Sequence, residues 1–202
     1  MSEKVYDVAV IGGGPAGYVA AIRAAQLGGQ VVLFEQDTVG GTCLNRGCIP
    51  TKSYLKTAET IHQIKNAPSR GILNVSEPAV DIKQVVACKD AVVRQLTNGV
   101  GGLLRSNGVD VIKSHASLSG EHTIEYADGT CQAKSIILCG GSKAVKIPIP
   151  GIDNPNVLTS TEIRELKELP TRLTVIGGGV IGCEMACAFQ AFGCQVSIVE
   201  AA

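Results

Sequence analysis

Two cysteines with four residues between them, Cys43 and Cys48, stand in the run Gly-Gly-Thr-Cys-Leu-Asn-Arg-Gly-Cys-Ile-Pro-Thr-Lys at positions 40–52. A dithiol that closes to a disulfide stores two electrons. Just upstream lies Gly12-Gly13-Gly14-Pro15-Ala16-Gly17, the G-x-G-x-x-G pattern of a dinucleotide site. A flavin held there would be a second two-electron store, and the pair could pass electrons between a nicotinamide and a disulfide substrate. A helix N-terminus, with Arg46 and Lys52 near in sequence, is expected to favour thiolate at the pair. Structural zinc is the rival reading. It needs two further ligands, and Cys88, Cys131 and Cys139 show no C-x-x-C spacing, so no metal is expected.

In the fingerprint, Gly12 permits the tight turn, Gly14 lets the backbone approach a pyrophosphate, and Gly17 lets helix and strand pack closely. The helix N-terminus offers N–H groups and the positive dipole end to the phosphates. Glu35, eighteen residues after Gly17, stands where a carboxylate receives a ribose diol. The pattern recurs as Gly177-Gly178-Gly179-Val180-Ile181-Gly182, with Glu200 eighteen residues beyond Gly182. A carboxylate at that place repels a 2′-phosphate, so the second site is expected to favour NAD over NADP.

The elements that would position these residues are legible. Residues 5–11 read as a buried parallel strand, 16–27 as a helix with Pro15 in its first turn, and 30–35 as a second strand, one β-α-β unit. Residues 51–65 read as an amphipathic helix presenting Leu55, Ala58, Ile61 and Ile64, and 66–77 as a loop. Residues 81–105 form a long helical pattern capped by Asp81, with Ile82, Val85, Val86, Val92, Val93, Leu96 and Val100 on one side. Strands are expected at 109–113, 116–118, 122–126 and 132–139, the last pair joined at Asp128-Gly129. Residues 162–168 read as a short helix. From residue 172 the strand–turn–helix–strand unit repeats, and the second copy stops two residues past Glu200, so the chain is expected to be a fragment.

The fold class expected is α/β, a Rossmann-like three-layer fold with the first β-α-β of a second Rossmann domain. The organisation expected is an FAD-binding domain over 1–150, a connector over 151–171 and the start of an NAD-binding domain over 172–202. A length of 202 residues, 45% apolar, suits one domain plus part of another. Zero formal net charge with no basic stripe argues against nucleic acid. No apolar stretch approaches the roughly 20 residues of a membrane span, and the N-terminus lacks an apolar signal segment, so a cytoplasmic location is expected. Eight cysteines in so long and apolar a chain argue against a disulfide scaffold. Cys88, Cys131, Cys139, Cys183, Cys187 and Cys194 read as inert buried thiols, and His62, His115 and His122 as structural.

With both fingerprints and the cysteine run, the chain resembles the pyridine nucleotide-disulfide oxidoreductases, FAD-linked enzymes with a C-x-x-x-x-C redox disulfide. Leu44 and Ile49 look most like the dihydrolipoyl-oxidising branch; glutathione and mercuric reductases tend to carry valine there. The resemblance implies that Gly12, Gly14, Pro15, Gly17 and Glu35 hold the FAD pyrophosphate and ribose, with Gly41, Thr42 and Lys52 along the flavin. It implies that Cys48 faces the flavin while Cys43 meets the dihydrolipoyl thiol, and that Lys52 pairs with Glu184. Ala116 and Gly140 match places where the family's backbone meets FAD. Gly177, Gly179, Gly182 and Glu200 would hold NAD. The family usually has Ala-Thr-Gly-Ser where Leu138-Cys139-Gly140-Gly141-Ser142 stands, and often a glycine at Ser114 or His115.

The family's remaining strands and its C-terminal interface domain, which lends a His-Glu base across a homodimer, lie outside this sequence. Without that base, proton transfer at Cys43 loses roughly 100- to 10,000-fold, so little turnover is expected of the chain alone. The function expected of the whole protein is dihydrolipoyl oxidation with NAD through Cys43 and Cys48. Its partners would be the lipoyl domains of a 2-oxoacid dehydrogenase or glycine cleavage complex. Alternatives are a reductase running from NAD(P)H to a disulfide or mercuric ion, an inactive partial FAD-binding module, a non-flavin thiol protein, and a self-associating product.

Overall fold

The computed structural model describes residues 5–201. Their packing divides into two compact units: residues up to 46 with 93–143, and residues 47–92 with 144 onward.

The first unit is built on a six-stranded sheet. Strand β1 (Val5–Ile11) turns through the fingerprint into helix α1 (Pro15–Gln26) and returns as β2 (Val31–Phe34). Strands β3 (Asp110–Ile112), β4 (Ala116–Leu118), β5 (Thr123–Tyr126) and β6 (Gly129–Leu138) complete the order β3-β2-β1-β6-β5-β4. β3, β2, β1 and β6 run parallel, and β5 and β4 extend the sheet antiparallel. The expected α/β, Rossmann-like architecture is therefore the one adopted. The register sets Val8 beside Val31 and Ser135, so Ala9, Val10, Val32 and Phe34 are fully buried between their neighbours. Phe34 meets Tyr126 at 5.2 Å between ring centroids. β6 starts at Gly129, three residues before the predicted 132, because the tight Ala127-Asp128 turn pairs Tyr126 with Gly129 at once.

Asp7 ties the unit together at the sheet's lower end. Its carboxylate accepts from Lys134 Nζ and from the Gln30 N–H, both at 2.8 Å. The hydrogen bond from Lys134, then that from Gln30, then the lysine charge hold the Asp7 carboxyl below its ordinary value, and the pairing raises Lys134. A depressed carboxyl stabilises the fold above its unfolded value near 3.8 and loses that contribution as pH falls through the lower folded value.

The second unit holds α3 (Cys48–Asn66), a 3-10 turn at Glu162–Glu165, and a parallel pair of strands, β7 (Arg172–Ile176) and β8 (Gln195–Val199), linked by α5 (Val180–Ala191). Here α5 follows α4 (Ile82–Ser106), whose N-terminal half belongs to this unit and whose C-terminal half belongs to the first. The core collects Tyr54, Ala58, Ile61, Ile82, Val85, Met185, Phe189 and Phe192. Tyr54, Phe189 and Phe192 form a triangle of rings with centroids 5.7–6.2 Å apart, a spacing that suits edge-to-face contact.

Three further element expectations change. α3 begins at Cys48 rather than 51, because Pro50 is tolerated in a first turn, where its missing N–H would have no helical acceptor. The expected helix over 162–168 is only a 3-10 turn, ended by Leu166 in extended conformation. On α4, Val92 and Leu96 are exposed while Lys89 and Thr97 are buried, so the inward stripe runs Ile82, Val85, Lys89, Thr97, Val100, Leu104. Asp81 does cap the helix, accepting the N–H groups of Lys83 and Gln84.

Two outcomes follow from these contacts. Phe189→Ala, which removes one fully buried corner of the ring triangle, is expected to cost about 3–5 kcal/mol in urea unfolding followed by circular dichroism. Asp7→Asn is expected to flatten the loss of stability below pH 4 in acid titrations; an unchanged acid limb would assign that limb to other carboxylates.

Candidate functional site

At the carboxyl ends of the parallel strands, the first unit forms a mouth from the fingerprint turn, Glu35, the segment after β6 and a short helix, α2 (Gly41–Arg46), which precedes α3 in the chain. Gly12 has φ of +104°, and a Cβ there would lie 2.1 Å from the Cys139 carbonyl oxygen. A Cβ on Gly17 would lie 1.8 Å from the Gly12 carbonyl oxygen, so helix and turn touch backbone to backbone. Gly14 is the N-cap of α1, extended at φ −72°, with Pro15 at the first helical position. A cap without a side chain leaves the first-turn N–H groups open to an anion.

Glu35 closes the turn from the far side. Its Oε2 accepts the Gly13 N–H and its Oε1 the Asp37 N–H, both at 2.8 Å. Each carboxylate oxygen retains acceptor capacity for a diol. Gly13 was not among the site residues drawn from the sequence; the signal was its place in the middle of three consecutive glycines, where a Cβ would press on the Glu35 side chain at 3.1 Å.

The cysteine run begins against this turn. The Gly40 N–H donates to the Gly13 carbonyl at 2.8 Å. Gly41, at φ +56°, would place a Cβ 2.5 Å from Gly14 Cα. Asn45 Nδ2 reaches the carbonyls of Thr38, Val39 and Gly41 at 3.0–3.3 Å, and Thr42 Oγ1 donates to the Ser142 carbonyl at 3.2 Å. Cys43 is thus carried half-buried on a helix stitched to the fingerprint and to the segment after β6. Asn45 is a positioning residue that sequence reasoning passed over, and its place two residues after Cys43 was the available clue. Arg46 pairs with Asp37. Ala116 lies in β4, and Gly140 is exposed just beyond β6 with nothing within 4 Å of a Cβ.

In the second unit, Cys48 is exposed as the first residue of α3. Lys52 is exposed and Glu184 half-buried, and no ion pair joins them among the described residues. A solvated pair of this kind gains only about 0–1 kcal/mol, so hydration competes with it. The second fingerprint repeats the first. Gly177 has φ of +100°, a Cβ on Gly182 would meet the Gly177 carbonyl oxygen at 2.2 Å, and Gly179 caps α5 with nothing within 4 Å. Glu200 Oε2 accepts the Gly178 N–H at 2.5 Å and Oε1 the Ala201 N–H at 2.7 Å. Cys183 donates its thiol hydrogen to the Gly178 carbonyl at 3.1 Å.

The six other thiols divide differently from expectation. Cys131 and Cys194 are buried and Cys139 half-buried, but Cys88, Cys183 and Cys187 are exposed. On α5 the inward stripe is taken by Met185, Ala188 and Phe189, which turns Cys183 and Cys187 outward. Burial pushes the Cys194 thiol up from its ordinary value.

Two open helix N-termini, each closed behind by a carboxylate, suit two pyrophosphates with adjoining ribose diols. The profile described as pyridine nucleotide-disulphide oxidoreductase matches residues 6–202. The chain belongs to that family. Among curated relatives of this family, the dihydrolipoyl dehydrogenase of Acholeplasma laidlawii is 43% identical over 202 residues, covering 98% of the chain and 60% of its own length. That of Bacillus subtilis is 42% identical over 200 residues, covering 96% of the chain and 44% of its own length. Among solved structures, the HOCl-induced flavoprotein disulfide reductase of Escherichia coli superposes with a TM-score of 0.82 at 34% identity, over 96% of this chain and 41% of that one. The chain therefore spans about half the length of the curated relatives it matches.

A paired substitution tests the close approach at the mouth. Gly41→Ala, forced into a left-handed conformation against Gly14, is expected to cost at least about 2 kcal/mol in thermal unfolding. Gly140→Ala, with open space around it, is expected to stay within about 0.5 kcal/mol. Equal effects would mean that the turn yields.

Proposed function

We propose that the chain belongs to an FAD-dependent dihydrolipoyl dehydrogenase, which converts dihydrolipoamide and NAD to lipoamide and NADH through a Cys43–Cys48 redox pair. The observation that carries the reading is the seating of the cysteine run on the first fingerprint, through the Gly40 N–H to Gly13 and the close pass of Gly41 over Gly14. Relatives named dihydrolipoyl dehydrogenase at 40–44% identity support the branch.

Residues 1–150 would be the FAD-binding domain, 151–171 a connector and 172–202 the start of the NAD-binding domain. Gly12, Gly14, Pro15, Gly17 and Glu35 would hold FAD, with Gly41, Thr42, Lys52, Ala116 and Gly140 along it. Gly177, Gly179, Gly182 and Glu200 would hold NAD. The helix caps at Gly14 and Gly179, neither carrying a side chain, support both assignments. When bound, FAD supplies the two-electron relay between the dithiol and NAD.

The chain's own residues handle the sulfur chemistry. A substrate thiolate attacks Cys43 of the oxidised pair, the Cys43–Cys48 bond breaks, and Cys48 leaves as thiolate. The second substrate thiol then displaces Cys43 and closes the product disulfide, so that two electrons and one sulfur–sulfur bond have changed places. Lys52 and Glu184 would set the charge beneath the nicotinamide. The partners would be lipoyl domains of a 2-oxoacid dehydrogenase or glycine cleavage complex, and a second copy in a homodimer. Among the described residues no helix is long and apolar enough to cross a membrane, and the exposed Cys88, Cys183 and Cys187 suit a reducing, cytoplasmic setting.

A second reading is a reductase that passes electrons from NAD(P)H to a disulfide. The 0.82 superposition on a flavoprotein disulfide reductase favours it. Both readings require flavin. Titration of this chain with FAD is expected to quench flavin fluorescence, and Glu35→Ala is expected to weaken binding by about 10- to 100-fold, the loss of hydrogen bonds to a charged acceptor. No flavin bound by the full-length protein would sink both readings. Dihydrolipoamide with NAD, against NAD(P)H with oxidised glutathione, assayed on the full-length protein, separates them.

A further inference from the structure

The second unit buries two cations outside the site residues above. Lys89 and Arg164 are each 2% exposed. Lys89 Nζ meets Glu165 Oε1 at 2.5 Å and Asp90 Oδ1 at 2.8 Å, and donates to the Arg164 carbonyl at 3.2 Å. The same carbonyl accepts the Tyr54 hydroxyl at 2.9 Å. Arg164 in turn donates from Nη1 to Thr51 Oγ1 at 3.2 Å. No buried side-chain polar atom among the described residues lacks a partner.

The outer end of this network is the first turn of α3. Thr51 is 3% exposed, its N–H donates to the Gly47 carbonyl at 3.1 Å, and its side chain is the one Arg164 grips. Cys48 opens the same turn and Lys52 follows Thr51. The N-cap, Gly47, supplies no side-chain hydrogen bond. A helix start of that kind frays readily unless something else fixes it. An apolar filling would occupy this space without desolvating two cations, and such replacements are often neutral or stabilising.

We propose that Arg164 is a positioning residue for Cys48: through Thr51 it fixes the first turn of α3, while Lys89 and Tyr54 fix the backbone of Arg164. The role rests on reading Cys48 as a member of the redox pair. Tyr54 serves as a permanent donor, because burial, with the Glu165 and Asp90 carboxylates, pushes its hydroxyl well above the ordinary value of 10.

The test needs no flavin. Amide hydrogen exchange at Thr51 and Lys52, and peptide-resolved alkylation of Cys48 relative to the exposed Cys88, are compared in Arg164→Met and Thr51→Val. The conservative partners are Arg164→Lys and Thr51→Ser, and exchange at Phe189 in α5 serves as the fold control. Loss of the bond is expected to speed exchange at Thr51 and Lys52 about tenfold and to change the alkylation ratio about threefold, with Phe189 unmoved. The conservative variants are expected to stay near the unaltered chain. An unchanged first turn, equal behaviour of Arg164→Lys and Arg164→Met, or uniform acceleration reaching Phe189 would overturn the proposal. Thr51→Val, which keeps the volume and both cations, carries the test if Arg164→Met does not fold. Failure of the full-length protein to bind FAD would remove the oxidoreductase reading while leaving these measurements intact.

Discussion

Glu35 and Glu200 end their crossovers by accepting the N–H of the middle glycine of a Gly-Gly-Gly turn, at 2.8 and 2.5 Å. Each carboxylate joins the end of a second strand to the turn that follows the first. The turn is thereby held with its third glycine, Gly14 or Gly179, as a helix cap that carries no side chain. Were the turn free to relax, the helix N–H groups would have no fixed direction, and a pyrophosphate would gain little from them. The seat of the cysteine run also depends on this, since Gly40 bonds to Gly13, the glycine that Glu35 holds.

Backbone contact explains why so many glycines sit at this mouth. Gly17 lies on the Gly12 carbonyl, Gly12 on the Cys139 carbonyl, and Gly41 on Gly14. Three chain segments meet there with no side chain between them. Close approach of this kind leaves the polar backbone edge as the lining, which suits a ligand recognised by phosphate and hydroxyl groups. Alanine at any of these positions would require a backbone to move.

The second unit solves a different problem. Its aromatic triangle of Tyr54, Phe189 and Phe192 supplies apolar packing, while Lys89, Arg164, Thr51 and the Tyr54 hydroxyl form a polar seam beside it. Tyr54 belongs to both. Directional bonds specify where a helix turn lies more narrowly than dispersion contacts do, and the turn so placed carries Cys48.

Much of the fold and site was legible because its signals are local. Glycine spacing, the eighteen-residue interval to each glutamate and the period of the strands all report on neighbours within one supersecondary unit. Both β-α-β units and the Asp81 cap therefore appear where the residues predict them, and the hairpin turn falls one residue earlier, at Ala127-Asp128. What escaped depends on residues distant in the chain. Nothing near Lys89 announces that its ammonium meets Glu165 or that its stripe of α4 turns inward, which put Val92 and Leu96 on the wrong face. Nothing near Cys183 shows that Phe189 and Met185 have taken the buried side of α5. The placement of Gly41 against Gly14, and of Arg164 against Thr51, was decided only by packing, because a contact between segments far apart in sequence leaves no periodic trace in either one.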